Sequence, residues 1–216
     1  MNASIDPILL IIGLSIMALV PFLAVMTTSF VKLAVVFGLL RNALGVQQIP
    51  PNMALHGLAI ILTFYIMAPM AFEISDVIEQ EQIELNNLSS LAPVIDKSTV
   101  PFKNFLKKHS NDRERKFFLT SAEKLWPKEY VQRVNEDSLL ILVPAFTVSE
   151  LTSAFEIGFL LYLPFLAIDL IISNILLAMG MMMVSPMTIS LPFKLLLFVL
   201  LDGWGRLIHN LVLTYQ

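Results

Sequence analysis

Asn174-Ile-Leu-Leu-Ala-Met-Gly-Met-Met-Met-Val-Ser-Pro-Met-Thr-Ile-Ser-Leu-Pro-Phe193 carries no charge, and it gathers Met179, Met181, Met182, Met183 and Met187 around Gly180 and Pro186. Five of the chain's eleven methionines fall here. Methionine is unbranched and polarisable, so a cluster of it makes an apolar surface that re-packs against differently shaped neighbours. Two readings stand side by side: the methionines fill gaps between packed helices, or they form a compliant seal. Gly180 and the Ser185-Pro186 step interrupt the apolar run and argue against one continuous lipid-facing helix. Interrupted backbone at membrane depth is tolerated only where protein buries it or where it lines a cavity. The stretch is therefore a candidate pore-lining loop, with Gly180 and Pro186 as its hinges.

Outward from this run, the second apolar half extends from Leu139 to the C-terminus. Prolines at 144, 164, 186 and 192 predict short, broken helices, divided as 139–165, 169–183 and 192–215. Glu150, Glu156, Asp169, Lys194, Asp202 and Arg206 lie in or beside these segments. A charge at the centre of a bilayer costs about 2.5 to 3.5 kcal/mol on insertion scales, so such residues are expected to face protein or water. Lys32 and Arg41 are the only formal charges between Pro7 and Phe72, which makes four acids and four bases in apolar surroundings. The equal numbers suggest ion pairs, either between helices of one chain or between neighbouring copies.

The N-terminal third, 1–72, reads as an apolar helical hairpin. Ile8 to Val31 is long enough to span about 30 Å of hydrocarbon. Pro21 is expected to kink it, and the pattern runs on past Lys32 as one overlong helix or two short ones. Gly45 suits a left-handed helix cap, and Pro50-Pro51 delays the next helix to about Asn52. The second span is expected over 53–72, with lone His56 as a packing residue. The first residues lack the positive region of a secretory signal, so the leading apolar stretch is expected to be retained.

Composition changes at Glu73. Between Asp76 and Asp137 lie eleven acids and ten bases, so 73–138 is read as a small, charged, soluble helical insert. Asn111 with Glu114 resembles a capping box, and Trp126-Pro127 closes the helix that follows. Lys32 and Arg41 favour a cytoplasmic 41–52 loop, which puts the insert in the periplasm.

The chain is 56% hydrophobic and 14% charged, with a mean hydropathy of +0.77, and belongs to the all-α membrane-assembly class. A net charge of -3 and a scarcity of basic clusters speak against nucleic acid as a partner, since Lys107-Lys108 with Arg113 to Lys116 reads as a solvated helix face interleaved with acids. Cysteine is absent, which removes disulfides, thiolate metal sites and thiol nucleophiles. No zinc-protease, nucleophile-elbow or P-loop motif is present, and His56, His109 and His209 are scattered. Glu150 and Glu156 are six apart and do not share a helix face. Neither catalysis nor a cofactor nor a metal is expected.

Four stretches resemble the FliP/YscR family, core subunits of the flagellar and virulence type III export apparatus. They are Arg41-Asn-Ala-Leu-Gly-Val-Gln-Gln-Ile-Pro-Pro-Asn52, Pro144-Ala-Phe-Thr-Val-Ser-Glu-Leu-Thr-Ser-Ala-Phe-Glu-Ile-Gly158, Leu161-Tyr-Leu-Pro-Phe165 with Asp169, and Met179 to Lys194 with Leu201-Asp-Gly-Trp204. The absence of a recognisable cleavable signal is closer to the virulence branch. The resemblance implies a homo-oligomeric ring, a pentamer, in the bacterial inner membrane or assembled at its periplasmic side within the basal body. It implies two smaller partners of the FliQ/YscS and FliR/YscT families, further export-gate and basal-body proteins, and unfolded secreted polypeptides as cargo. Met181, Met182 and Met183 would then form a gasket that narrows the channel. The competing class is a self-sufficient small-solute transporter or ion channel working through its buried carboxylates.

Overall fold

The computed structural model describes residues 7–46, 49–80 and 91–216. The leading residues Met1 to Asp6, Gln47 and Gln48 of the first loop, and Glu81 and Glu84 of the charged insert lie outside them. The described residues form nine helices and no strand, as the all-α reading expects.

The first apolar block resolves into two helices, α1 (Pro7–Met26) and α2 (Phe30–Leu44). Pro21 lies inside α1, and the break falls instead at Thr27 to Ser29, where the axis turns by 59° between Met17–Met26 and Phe30–Leu44. Hydroxyls bond carbonyls beside the break: Thr27 Oγ1 donates at 2.7 Å to Leu23 O, which also accepts from Thr27 N, and Thr147 Oγ1 from a distant helix donates to Met26 O at 3.2 Å. α2 is the hub of the core. Leu33, Val36, Phe37, Leu40 and Leu44 recur at helical spacing and are all buried. Gly45 ends α2 in the left-handed conformation at φ 76°, its N–H donating to Asn42 O at 3.1 Å.

α3 (Asn52–Gln80) continues through the composition change at Glu73, so the polarity boundary lies within a helix rather than at its end. α4 (Leu91–His109), α5 (Asp112–Leu125) and the short α6 (Lys128–Val131) follow. The cap at Asn111 forms, its side chain accepting from Arg113 N at 3.0 Å. The capping-box partner is different, because the Asn111 N–H donates to Ser149 Oγ at 2.8 Å rather than to Glu114. Tertiary contact thus replaces the local one, and it ties the insert to the C-terminal half. Buried Arg115 closes the α4 end by donating to Lys107 O at 3.0 Å and Ser110 O at 2.6 Å. Leu106, Leu142 and Phe146 then form a second small core under the insert.

The C-terminal half departs from the expected three pieces. α7 (Leu139–Ala178) is one helix of 40 residues containing both Pro144 and Pro164. Each proline removes a backbone hydrogen bond, an effect of about 3 kcal/mol in a helix interior. Burial of a large apolar side chain is worth about 1.5 to 3 kcal/mol, and α7 buries Leu142 and Phe146 against α4, and Ala154 and Phe165 in the core built on α2. Packing outweighs the local penalty. Gly158 permits the closest approach, since a Cβ there would stand 2.2 Å from Leu39 Cδ1. The chain finally turns at residues 179–185, enters α8 (Pro186–Leu200) with Pro186 at its start, and passes Pro192 without a break. After a left-handed residue that is not glycine, Asp202 at φ 51°, α9 (Gly203–Leu213) leaves at 61° to α8.

α3 and α7 are each long and apolar enough to cross a membrane, and the bent pairs α1 with α2 and α8 with α9 reach that length together.

Candidate functional site

α7 and α8 make an antiparallel hairpin. Asp169 meets Lys194 and the Phe165 ring meets Phe198 at 6.4 Å, so the residues between the helices are its tip. The tip is built on a capping motif. Met181 N donates to Leu176 O at 2.9 Å and Gly180 N to Leu177 O at 3.0 Å, with Gly180 left-handed at φ 72°. This 6→1 and 5→2 pattern satisfies the last carbonyls of α7 and turns the chain sharply. A Cβ on Gly180 would meet nothing within 4 Å, so glycine is needed there for its backbone and not for space. Ser185 and Pro186 then start α8, proline at the first helical position losing no hydrogen bond. The methionines between them point outward: Met182 is 80% exposed, Met183 101%, and Met181 39%. Met182 and Met183 fill no gap within this chain.

Below the tip, Lys194 is buried to 3% exposure and its ammonium has two acceptors. Nζ donates to Asp169 Oδ2 at 2.6 Å and to Ala43 O, near the end of α2, at 3.1 Å. Ser190, one turn earlier on α8, donates to Asp169 Oδ1 at 2.6 Å. The clamp joins α2, α7 and α8, and places a cation at the negative end of the α2 dipole.

A second pair lies further down α7. Lys32 Nζ stands 2.8 Å from Glu150 Oε1, both side chains nearly inaccessible. The Tyr215 hydroxyl donates to Glu150 Oε2, and Lys32 Nζ lies 4.2 Å from the centre of the Tyr215 ring. Burial, with the Glu150 charge beside it, holds the phenol protonated well above the ordinary range. The same ring packs against Phe105 and His109 of α4, at 6.4 and 5.0 Å between centroids. Burial, followed by the charges of Lys108 and Lys32, lowers the pKa of His109 from 6.5 to about 4, so His109 is neutral at pH 7.

The structure therefore brings together Lys32 with Glu150 and Lys194 with Asp169. Arg41 Nη1 donates to Asn52 Oδ1 across the 41–52 loop rather than to an acid. Glu156, Asp202 and Arg206 are exposed and form no ion pair among the described residues. His56 lies edge-on to Phe30 at 6.1 Å between ring centres. Sequence reasoning missed Tyr215, Ser190 and Asn52. Ser190 was within reach, because it lies four residues before Lys194 on one face of α8; Tyr215 gives no signal until the path of α9 is known.

Membrane-length apolar helices, buried ion pairs and a methionine tip on a helical hairpin define an all-α chain of the membrane-assembly class, with two to four apolar helices able to span a membrane. Residues 13–211 match the FliP family, and the chain belongs to that family. It is 64% identical over 210 residues to "Yop proteins translocation protein R" of Yersinia pestis, covering 97% of each chain. It is 50% identical over 204 residues to "Hypersensitivity response secretion protein HrcR" of Ralstonia nicotianae, covering 92% of this chain and 93% of the relative. Against "Virulence protein YscR" of Salmonella typhimurium the identity is 50% over 212 residues, with 98% of each chain covered.

Proposed function

We propose that this chain is a non-enzymatic subunit of the protein-export channel of a bacterial type III secretion system, set in the inner membrane. Copies form a ring with two smaller proteins of the FliQ/YscS and FliR/YscT families and enclose a passage for unfolded polypeptides. The observation that carries this reading is the outward projection of Met181, Met182 and Met183 from a capped hairpin tip. Met182 and Met183 pack on almost nothing in their own chain and suit a surface completed by other copies, with Met181, 39% exposed, beside them. A ring of such tips makes an apolar constriction, which excludes water and ions by dewetting. Methionine's unbranched chain lets the same constriction yield to an extended polypeptide and close behind it. The relatives' names, translocation and secretion proteins, agree with this role.

The tip is held by the Lys194 clamp beneath it, and the Lys32–Glu150 pair fixes the other end of the core. Exposed Glu156 and Asp202 are left for contacts between copies. The rival, a self-sufficient transporter using buried carboxylates, has less support. Glu150 and Asp169 are each closed by a lysine and a hydroxyl donor, which leaves little for a solute to bind.

The test is to replace Met181, Met182 and Met183 together by glycine in cells that make the whole apparatus. Ion leakage across the inner membrane should rise while the complex purifies intact. Unchanged leakage from an intact complex would remove the gasket from the proposal.

A further inference from the structure

Inside the bend between α8 and α9 a cleft of about 290 Å³ opens against α7. Its walls include Leu161, Phe165, Leu197, Phe198, Leu207 and Leu211. Apolar cavities of roughly 150 Å³ already take up benzene in preference to water, so one of this size and lining favours hydrocarbon. One edge is different. Arg206, Asn210 and Thr214 follow one another at four-residue spacing along α9 and form a polar rim. α9 itself is amphipathic, with Leu207 and Leu211 buried and Arg206, His209 and Asn210 exposed. An amphipathic helix that turns aside from an apolar helix suits the membrane–water boundary.

Arg206 says what the cleft takes. Lys32 is closed by Glu150, Lys194 by Asp169, and Arg41 donates to Asn52. Arg206 is exposed at the cleft's mouth without an acidic partner among the described residues. The nearest acid along the chain, Asp202, is turned onto Gly205, where a Cβ would meet its Oδ2 at 2.5 Å. A guanidinium at the mouth of an apolar slot is complementary to an amphiphile whose head carries a phosphate, which arginine holds through paired N–H donors. A cleft of about 290 Å³ holds less than one turn of a helix about 10 Å across, whereas it takes part of one extended hydrocarbon chain.

We propose that this cleft binds an anionic phospholipid, with one acyl chain between α7 and the α8–α9 bend and the phosphate on Arg206. The proposal rests on the reading of the chain as embedded in a membrane.

Trp204 reports on the site, since its ring lies 5.6 Å from that of Phe198 in the cleft wall. The full-length chain with Trp126→Phe, which leaves Trp204 as the sole tryptophan, is reconstituted in phosphatidylcholine vesicles. Part of the lipid is replaced by phosphatidylglycerol or phosphatidylcholine with brominated acyl chains, and Trp204 fluorescence is followed. Half-quenching should need about fivefold less brominated phosphatidylglycerol than brominated phosphatidylcholine, the preference expected of one basic residue at a membrane surface. Arg206→Gln should erase that difference while quenching by both lipids persists. Equal quenching by the two lipids, a preference that survives Arg206→Gln, or no quenching by either overturns the proposal. Preference lost when the chain is purified with its partner subunits would give the cleft to a protein and overturn it as well. Vesicle flotation is read in parallel: a chain that does not float refutes the membrane reading itself, and a chain that floats without lipid preference refutes only the lipid site.

Discussion

Lys194 and Asp169 hold opposite charges in a place where neither has full access to water, and each depends on the other. Removing Asp169 leaves the buried Lys194 ammonium uncompensated, at a cost of about 3 to 5 kcal/mol, whereas Asp169 without Lys194 is 33% exposed and keeps Ser190 as a donor. Asp169→Ala is therefore expected to lower the midpoint of thermal unfolding in detergent sharply and Lys194→Ala by less, with the exchanged pair Lys194→Asp and Asp169→Lys recovering part of the loss. If the single variants unfold as the unmodified chain does, the clamp contributes nothing. His109 gives a pH dependence with a definite sign. Its pKa falls from 6.5 to about 4 on folding, so the docked α4 is favoured fully above pH 6.5 and loses that stabilisation as pH falls towards 4. Hydrogen exchange at α4 amides should quicken over this interval, and His109→Gln should flatten the response. Balanced numbers of acids and bases made pairing legible in the sequence, yet only two pairs form among eight charges. Which charges meet depends on which helices lie side by side, and no spacing along the chain encodes that.

At the scale of elements, the helices themselves were legible and their ends were not. The caps at Gly45, Asn111 and Gly180 are local, each specified by a residue suited to an unusual backbone or to a free N–H, and each falls where the sequence places a turn. The prolines mislead because their effect is set by the neighbours of the helix. Pro144 and Pro164 lie in a helix packed by α2, α4, α5 and α8 together, while Thr27 to Ser29, which carry no proline or glycine, mark a real break. The close contact of α2 with α7 also gives a test. Gly158→Ala pushes a methyl onto Leu39 and should cost about 1 to 3 kcal/mol, the range for overpacking. Adding Leu39→Ala makes room for the methyl, so the double variant should fall less than the two single effects summed. Strict additivity would show that the two side chains do not compete for the same space.

Across the whole molecule, the apolar residues outnumber the places to bury them. Phe64, Phe72, Phe155, Phe159 and Leu160 are each more than half exposed, on the outer faces of α3 and α7. Exposed apolar area on this scale marks lipid or partner surface. The composition announced that surplus at once, and the sequence placed much of it on the right segments. It did not show that α7 is a single piece, and that fact has a mechanical side. The helix is about 60 Å long and is pinned twice, by Lys32 at Glu150 and by Lys194 at Asp169. Roughly 28 Å of rod separates the two pins, so a tilt of about 10° about the first displaces the second by about 5 Å. Such a stiff rod acts as a lever arm whose load is the clamp, so movement at its base reaches the methionine tip only with α8 carried along.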